Sequence, residues 1–199
     1  GETTEPAITY EEDNLPDDMH LAYLPNPLTG VRLRLSVYGG KVAESESRIE
    51  AEISELKSIL GDIVYSDKDD TLQSALGQVL LTHNKTMSAA ESCTGGMISS
   101  LITSVPGCSG YYLGAVTSYA NEIKQQILNV PAEIIERYGA VSSECVAAMA
   151  DGVRKLTGSD YSVATSGIAG PDGGSEEKPV GLVWIGVSSE RGTETYRLT

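Results

Sequence analysis

The chain has 199 residues, with 14 Lys and Arg against 28 Asp and Glu and a formal net charge of −14. It is long enough for one large domain or two small ones with a real core, and it lacks the basic stripe that contact with a phosphate backbone requires, which argues against nucleic acid as a partner. Cys93, Cys108 and Cys145 are odd in number and have no CxxC spacing, which argues against a disulfide framework and a zinc site; no apolar run reaches the roughly 20 residues of a membrane span.

Half of the charge excess sits in Gly1–His20, where Glu2, Glu5, Glu11, Glu12, Asp13, Asp17 and Asp18 stand without Lys or Arg. With Pro6 and Pro16 and no periodicity, residues 1–18 are expected to form a loose acidic arm. This start lacks the positive and apolar regions of a signal peptide, so a cytoplasmic location is expected. Gly1 in place of an initiator Met suggests a piece of something longer.

Residues 19–66 read as a small α+β module. His20–Leu24 and Val31–Tyr38 are predicted strands, the second alternating Val31, Leu33, Leu35 and Val37 with polar neighbours. Glu44–Leu60 carries Ile49, Ile53, Leu56 and Leu60 on one helical stripe. Gly61–Tyr65 is a candidate third strand. The glycine pair Gly39-Gly40 does not make the Gly-x-x-Gly clamp of RNA-binding KH modules, so a spacer or docking role is expected.

Ser66-Asp-Lys-Asp-Asp70 is a polar boundary, with Asp70 a candidate cap for a helix bearing Leu72, Leu76, Val79 and Leu80. Beyond it, Met97–Thr103, Glu122–Leu128, a helix opened by Pro131 and another capped by Ser142 or Ser143 are predicted helices. Gly110–Tyr119, Tyr161–Thr165, Val180–Ser188 and Glu194–Leu198 are predicted strands. The fold class is therefore α/β, a mixed sheet flanked by helices over residues 67–199, preceded by the small module.

Thr86-Met-Ser-Ala-Ala-Glu-Ser-Cys-Thr-Gly-Gly96 reads as strand, sharp turn and helix. A hydroxyl at such a turn stands free of the sheet, and the N–H groups opening the helix face any anion beside it, which suits a nucleophile and its oxyanion hole. The same stretch also reads as a glycine turn that only caps a helix, and Ala90 and Thr94 occupy the glycine positions of a Gly-x-Ser-x-Gly elbow.

Only two histidines exist, His20 and His83, and neither is placed to serve Ser92. The remaining candidates for a base are Lys124 and Tyr119: a desolvated lysine is a base near neutral pH, and a tyrosine can relay a proton. An exposed lysine and a packing tyrosine are the ordinary alternatives. The pair misses the Tyr-x-x-x-Lys spacing of short-chain dehydrogenases by one residue, and no Gly-x-Gly-x-x-Gly turn is present. Cys93 is the competing nucleophile, disfavoured for want of a histidine. Ser166-Gly-Ile-Ala-Gly-Pro-Asp-Gly-Gly174 is either a phosphate-approaching loop or a flexible hairpin connection.

Ala90-Glu-Ser-Cys-Thr-Gly-Gly96, Val116-Thr-Ser-Tyr-Ala-Asn-Glu-Ile-Lys124, Gly139-Ala-Val-Ser142 and Ser166–Gly181 together resemble the CinA family, specifically its C-terminal nicotinamide-mononucleotide amidase domain, over roughly Thr71–Thr199. His20–Tyr65, with Leu21-Ala-Tyr-Leu-Pro25, resembles that family's KH-like linker domain. The resemblance implies hydrolysis of nicotinamide mononucleotide to nicotinic acid mononucleotide and ammonia, without metal or cofactor, by a cytoplasmic homodimer acting on a small-molecule nucleotide.

It further implies Ser92 as nucleophile, with Lys124 and Tyr119 managing protons and N–H groups near Cys93, Thr94, Gly95 and Gly96 holding the oxyanion. The phosphate is assigned to Gly167, Ile168, Ala169, Gly170, Gly173 and Gly174, with Thr94. Family members carry a preceding molybdopterin-binding-like domain, absent here, and continue past a strand like Glu194–Leu198 into a basic segment and a helix, so a C-terminally truncated amidase domain is expected. The alternative is a non-catalytic nucleotide-binding or competence-related interaction protein.

Overall fold

The computed structural model describes residues 15–26 and 30–199. Most of the expected acidic arm, residues 1–14, and the turn residues 27–29 lie outside the described residues. The chain divides into two compact units, Gly1–Ala75 and Leu76–Thr199.

In the first unit, β1 (Met19–Asn26) and β2 (Gly30–Val37) pair antiparallel, with Met19 opposite Val37 and Asn26 opposite Gly30. Helix α1 (Val42–Leu60) turns Leu56 inward, and Met19 and Leu21 are buried on the hairpin. Asp18 accepts two hydrogen bonds from the Arg48 guanidinium, at 2.6 and 2.7 Å, tying the hairpin's entry to the helix.

The expected strand over Gly61–Tyr65 does not form. Gly61 ends α1 at φ 57, Gly61–Ile63 make one 3-10 turn, and the Val64 N–H closes it on the Gly61 carbonyl. A stretch opening Gly-Asp has no alternation to hold it in a sheet. The next helix, α2 (Leu72–Thr82), is capped by the Thr71 hydroxyl, which accepts from the Ser74 N–H at 3.3 Å; Asp70 instead accepts from the Ser66 and Ser74 hydroxyls.

The second unit is built on a five-stranded mixed sheet in the order β4-β3-β5-β6-β7. The strands are β3 (Met87–Glu91), β4 (Tyr112–Thr117), β5 (Tyr161–Gly167), β6 (Val183–Ser189) and β7 (Gly192–Leu198). β3 runs parallel to both neighbours and is buried along its whole length, while β6 and β7 add antiparallel. Small residues at Ser88, Ala89 and Ala90 let helices lie close on both faces of this central strand.

The helices are α3 (Met97–Thr103), α4 (Asn121–Leu128), α5 (Ala132–Tyr138) and α6 (Ser143–Thr157). Ser142 caps α6 by accepting from the Cys145 N–H at 3.1 Å, and Gly158 ends it in the left-handed region. Cys145, Val146, Met149, Ala150 and Val153 form its buried face against Ala90 and Ala164. Each large aliphatic so buried contributes about 1.5–3 kcal/mol, which makes α6 the principal packing element of the unit.

The packing is tight enough to decide a helix residue against propensity. A Cβ on Gly152 would lie 2.0 Å from the Leu128 carbonyl oxygen, a backbone atom that cannot step aside. Gly152→Ala gains about 1 kcal/mol of helix propensity and loses more by displacing α4. A net loss of about 2 kcal/mol or more, read as a lower urea midpoint, is expected.

Candidate active site

Three parallel strands finish at the same end of the sheet. Register places Glu91 opposite Thr117 and Thr165, so Ser92 and Ser118 directly follow the last residues of β3 and β4, while β5 runs two residues further, through Ser166 to Gly167. Crevices at the carboxyl ends of parallel strands, where the chain switches sides, are where open α/β sheets hold ligands.

Ser92 opens the turn. Its N–H donates to the Thr165 carbonyl, and the Gly95 N–H returns to the Ser92 carbonyl at 3.1 Å. Gly95 and Gly96 take φ 59 and 106, a conformation that L side chains resist, which is why two glycines stand between the strand and α3.

The N–H groups expected to face an anion are largely taken. Buried Glu91 accepts from Gly96 and Ile98 at 3.0 Å and from Ser99 at 2.9 Å. Burial pushes this carboxyl up, but the N–H groups of Ser99, Ile98 and Gly96 and the Thr94 hydroxyl outweigh it and hold Glu91 below the ordinary value. The helix start is thus filled from within the protein, which corrects the expectation for Gly96. The N–H groups of Cys93 and Thr94 remain, at the turn beside Ser92.

Glu91→Gln places an amide NH₂ against one of these donors and removes the charge. A stability loss of about 3 kcal/mol is expected, measured by urea unfolding, together with a loosened Ser92 turn.

Lys124 comes from the first turn of α4 and is 1% exposed. Its Nζ lies 3.1 Å from Ser92 Oγ, 2.7 Å from the Ser118 carbonyl and 2.9 Å from the Tyr119 carbonyl. Burial pushes the lysine down, only partly offset by the thiols of Cys145 and Cys93. Three N–H donors of the ammonium match these three oxygens; loss of one proton, which burial favours, keeps the bonds to the two carbonyls and leaves a lone pair able to accept the Ser92 proton.

Tyr119 is placed differently from the sequence expectation. The residue is 77% exposed, and its carbonyl, not its phenol, meets Lys124. A sequence pattern identifies a residue but not whether its backbone or its side chain is in use. Cys93 lies beside Ser92, but burial pushes its thiol up against the pull of its own N–H, the Thr165 hydroxyl and Lys124, so it stays protonated and weakly nucleophilic.

The Gly167–Gly174 loop begins beside the turn. Ile168 donates to the Leu182 carbonyl and Gly181 donates back to Ile168, so the two limbs are zipped together. Three glycines are accounted for by that closure: a Cβ on Gly167 would sit 2.6 Å from the Leu182 oxygen, and those on Gly170 and Gly174 would meet Val180 at 2.5 and 2.9 Å. Gly173, at φ 90, has open space around it.

Thr165 and Lys178 escaped the sequence reading. The Thr165 hydroxyl pairs with that of Thr94 at 2.8 Å, and Lys178 Nζ donates to the Tyr138 carbonyl at 2.7 Å, holding the loop to the end of α5. Glu91 was part of the motif yet had no role; an acidic residue closing a strand just before a helix start was the available signal. His20 packs edge-on against Tyr38 in the first unit, and His83 is exposed at the end of α2. Among the described residues no group of three His, Cys, Asp or Glu could hold a metal, and no helix is long and apolar enough to cross a membrane.

A family model described as the CinA C-terminal domain matches residues 69–199. The CinA-like protein of Cytophaga hutchinsonii is 45% identical over 199 residues, covering 100% of this chain and 47% of that protein. The CinA-like protein of Parasynechococcus marenigrum is 46% identical over 167 residues, 84% of this chain and 40% of its own length. The chain therefore spans less than half the length of these curated relatives. Among solved structures, competence damage-inducible protein A (ComA) from Klebsiella pneumoniae shares 34% identity at a TM-score of 0.62, over 64% of this chain and 79% of that one. The competence/damage inducible protein CihA from Agrobacterium tumefaciens shares 35% at 0.58, over 61% and 77%.

Proposed function

Because the chain belongs to the CinA C-terminal domain family, we propose that it hydrolyses the carboxamide of nicotinamide mononucleotide through Ser92 and Lys124, giving nicotinic acid mononucleotide and ammonia. The observation that carries this reading is the buried Lys124 amine 3.1 Å from the Ser92 hydroxyl, with its other two contacts made to carbonyl oxygens.

Lys124 takes the Ser92 proton as Ser92 Oγ bonds to the amide carbon, and the carbonyl electrons move onto oxygen. The N–H groups of Cys93 and Thr94 are the donors available to that oxyanion. Collapse of the intermediate breaks the C–N bond, and the Lys124 ammonium returns its proton to the departing nitrogen as ammonia. Lys124, neutral again, deprotonates a water that attacks the ester, releasing the carboxylic acid and restoring the Ser92 hydroxyl. The exposed arc of the Gly167–Gly174 loop around Gly173, with Thr94, is assigned to the phosphate. Tyr119 serves through its carbonyl, and no step needs its phenol.

The test is ammonia release from nicotinamide mononucleotide by the purified chain, with nicotinic acid mononucleotide identified as co-product. Equal amounts of the two products are expected. Tight binding of the nucleotide without release of ammonia would instead favour a non-catalytic nucleotide-binding protein.

A further inference from the structure

The Ser118 side chain stands out against the rest of the site. It is fully buried, and among the described residues its hydroxyl makes no hydrogen bond. A buried hydroxyl left unpaired costs about 1–3 kcal/mol, and most such groups in folded proteins find a partner. Ser118 is also fixed at both backbone ends: its N–H donates to the Glu91 carbonyl at 2.8 Å, and its carbonyl accepts from Lys124 Nζ at 2.7 Å. The unpaired oxygen therefore belongs to the very residue that holds the lysine.

Lys124 needs different partners in its two protonation states. As an amine it donates twice, to the two carbonyls, and accepts from Ser92. As an ammonium it has three N–H donors, and the third points at an Oγ that is by then bonded to the acyl carbon and is a poor acceptor. The titratable groups facing it are Cys93 from the turn after β3 and Cys145 from the first turn of α6, and burial keeps both thiols uncharged. Neither supplies a counter-charge.

We infer that the Ser118 hydroxyl is a positioning group for Lys124, held in reserve in the resting site and turned toward the lysine to accept from the ammonium after Ser92 has given up its proton. The backbone of Ser118 already meets the lysine through its carbonyl, so the movement assigned to the hydroxyl is one of the side chain alone. This rests on the Ser92–Lys124 proton transfer, and it gives a use to a buried hydroxyl that is otherwise unpaired.

The test is Ser118→Ala, with Ser118→Thr as the variant that restores a hydroxyl. Two readouts separate this inference from the amidase assignment: the titration of the Lys124 side chain, followed by NMR on isotope-labelled lysine in a Ser92→Ala background, where the third N–H of the ammonium has no Ser92 oxygen to meet, and the pH profile of ammonia release in the Ser92 protein. Loss of one hydrogen bond to the charged form is expected to move the Lys124 midpoint down by about one pH unit, with kcat reduced about tenfold and KM little changed; threonine is expected to restore both.

A titration midpoint unmoved in Ser118→Ala, with thermal stability equal or higher, would overturn the inference, since it would show an unpaired hydroxyl with no use. A midpoint that moves while the parent protein releases no ammonia would support it and remove the amidase reading.

Discussion

Replacing Ser92 with alanine is expected to lower ammonia release at least about 10³-fold while nucleotide binding, followed by calorimetry, stays nearly unchanged. The hydroxyl is the one group that forms a bond to the substrate, whereas the turn that positions it is built from backbone contacts that alanine keeps: Ser92 N–H to Thr165, Gly95 N–H to Ser92, and Glu91 across the start of α3. Cys93→Ala is the control. Its thiol is held protonated by burial, so turnover in that variant is expected to remain within a few-fold of the parent. The reverse pattern, survival of activity in Ser92→Ala and its loss in Cys93→Ala, would move the nucleophile by one residue.

Lys124→Met is expected to cost about 10³-fold in kcat with a much smaller change in KM, since methionine keeps the length of the side chain and loses the proton acceptor. The pH dependence distinguishes a base from a mere contact. Lys124 is pushed below the ordinary lysine value, so the amine form is present above that lowered value, and activity is lost as pH falls through it and the ammonium forms. The parent is expected to show this acid limb and the methionine variant to lack it. A variant that retains the limb would assign it to another group.

Much of the second unit is legible from residue patterns. The central strand, the Ser92 turn and the helix bearing Lys124 follow from small apolar runs, paired glycines and helical spacing, and the lysine's neighbourhood follows from one short motif. What resists reading is anything decided by which atom of a residue points where. Tyr119 contributes a carbonyl, and the role of Glu91 depends on a helix folding back onto the end of its own strand. Three of the glycines in the Gly167–Gly174 loop answer to Leu182 and Val180, side chains and backbone that reach them only in three dimensions. In the first unit, Gly61–Tyr65 is apolar enough for a strand, but a left-handed glycine at its start sends the chain into a turn.

The Glu91 carboxylate also bears on how the reaction ends. On the amidase reading, the substrate presents a neutral carboxamide beside Ser92, whereas the product presents a carboxylate at the same spot. The residue preceding Ser92 already carries a buried negative charge there, with its N–H partners saturated. A second anion finds few free donors and a like charge close by, so on this reading the product is expected to bind less tightly than the substrate and to leave readily, an effect of one carboxylate at the end of a single β-strand.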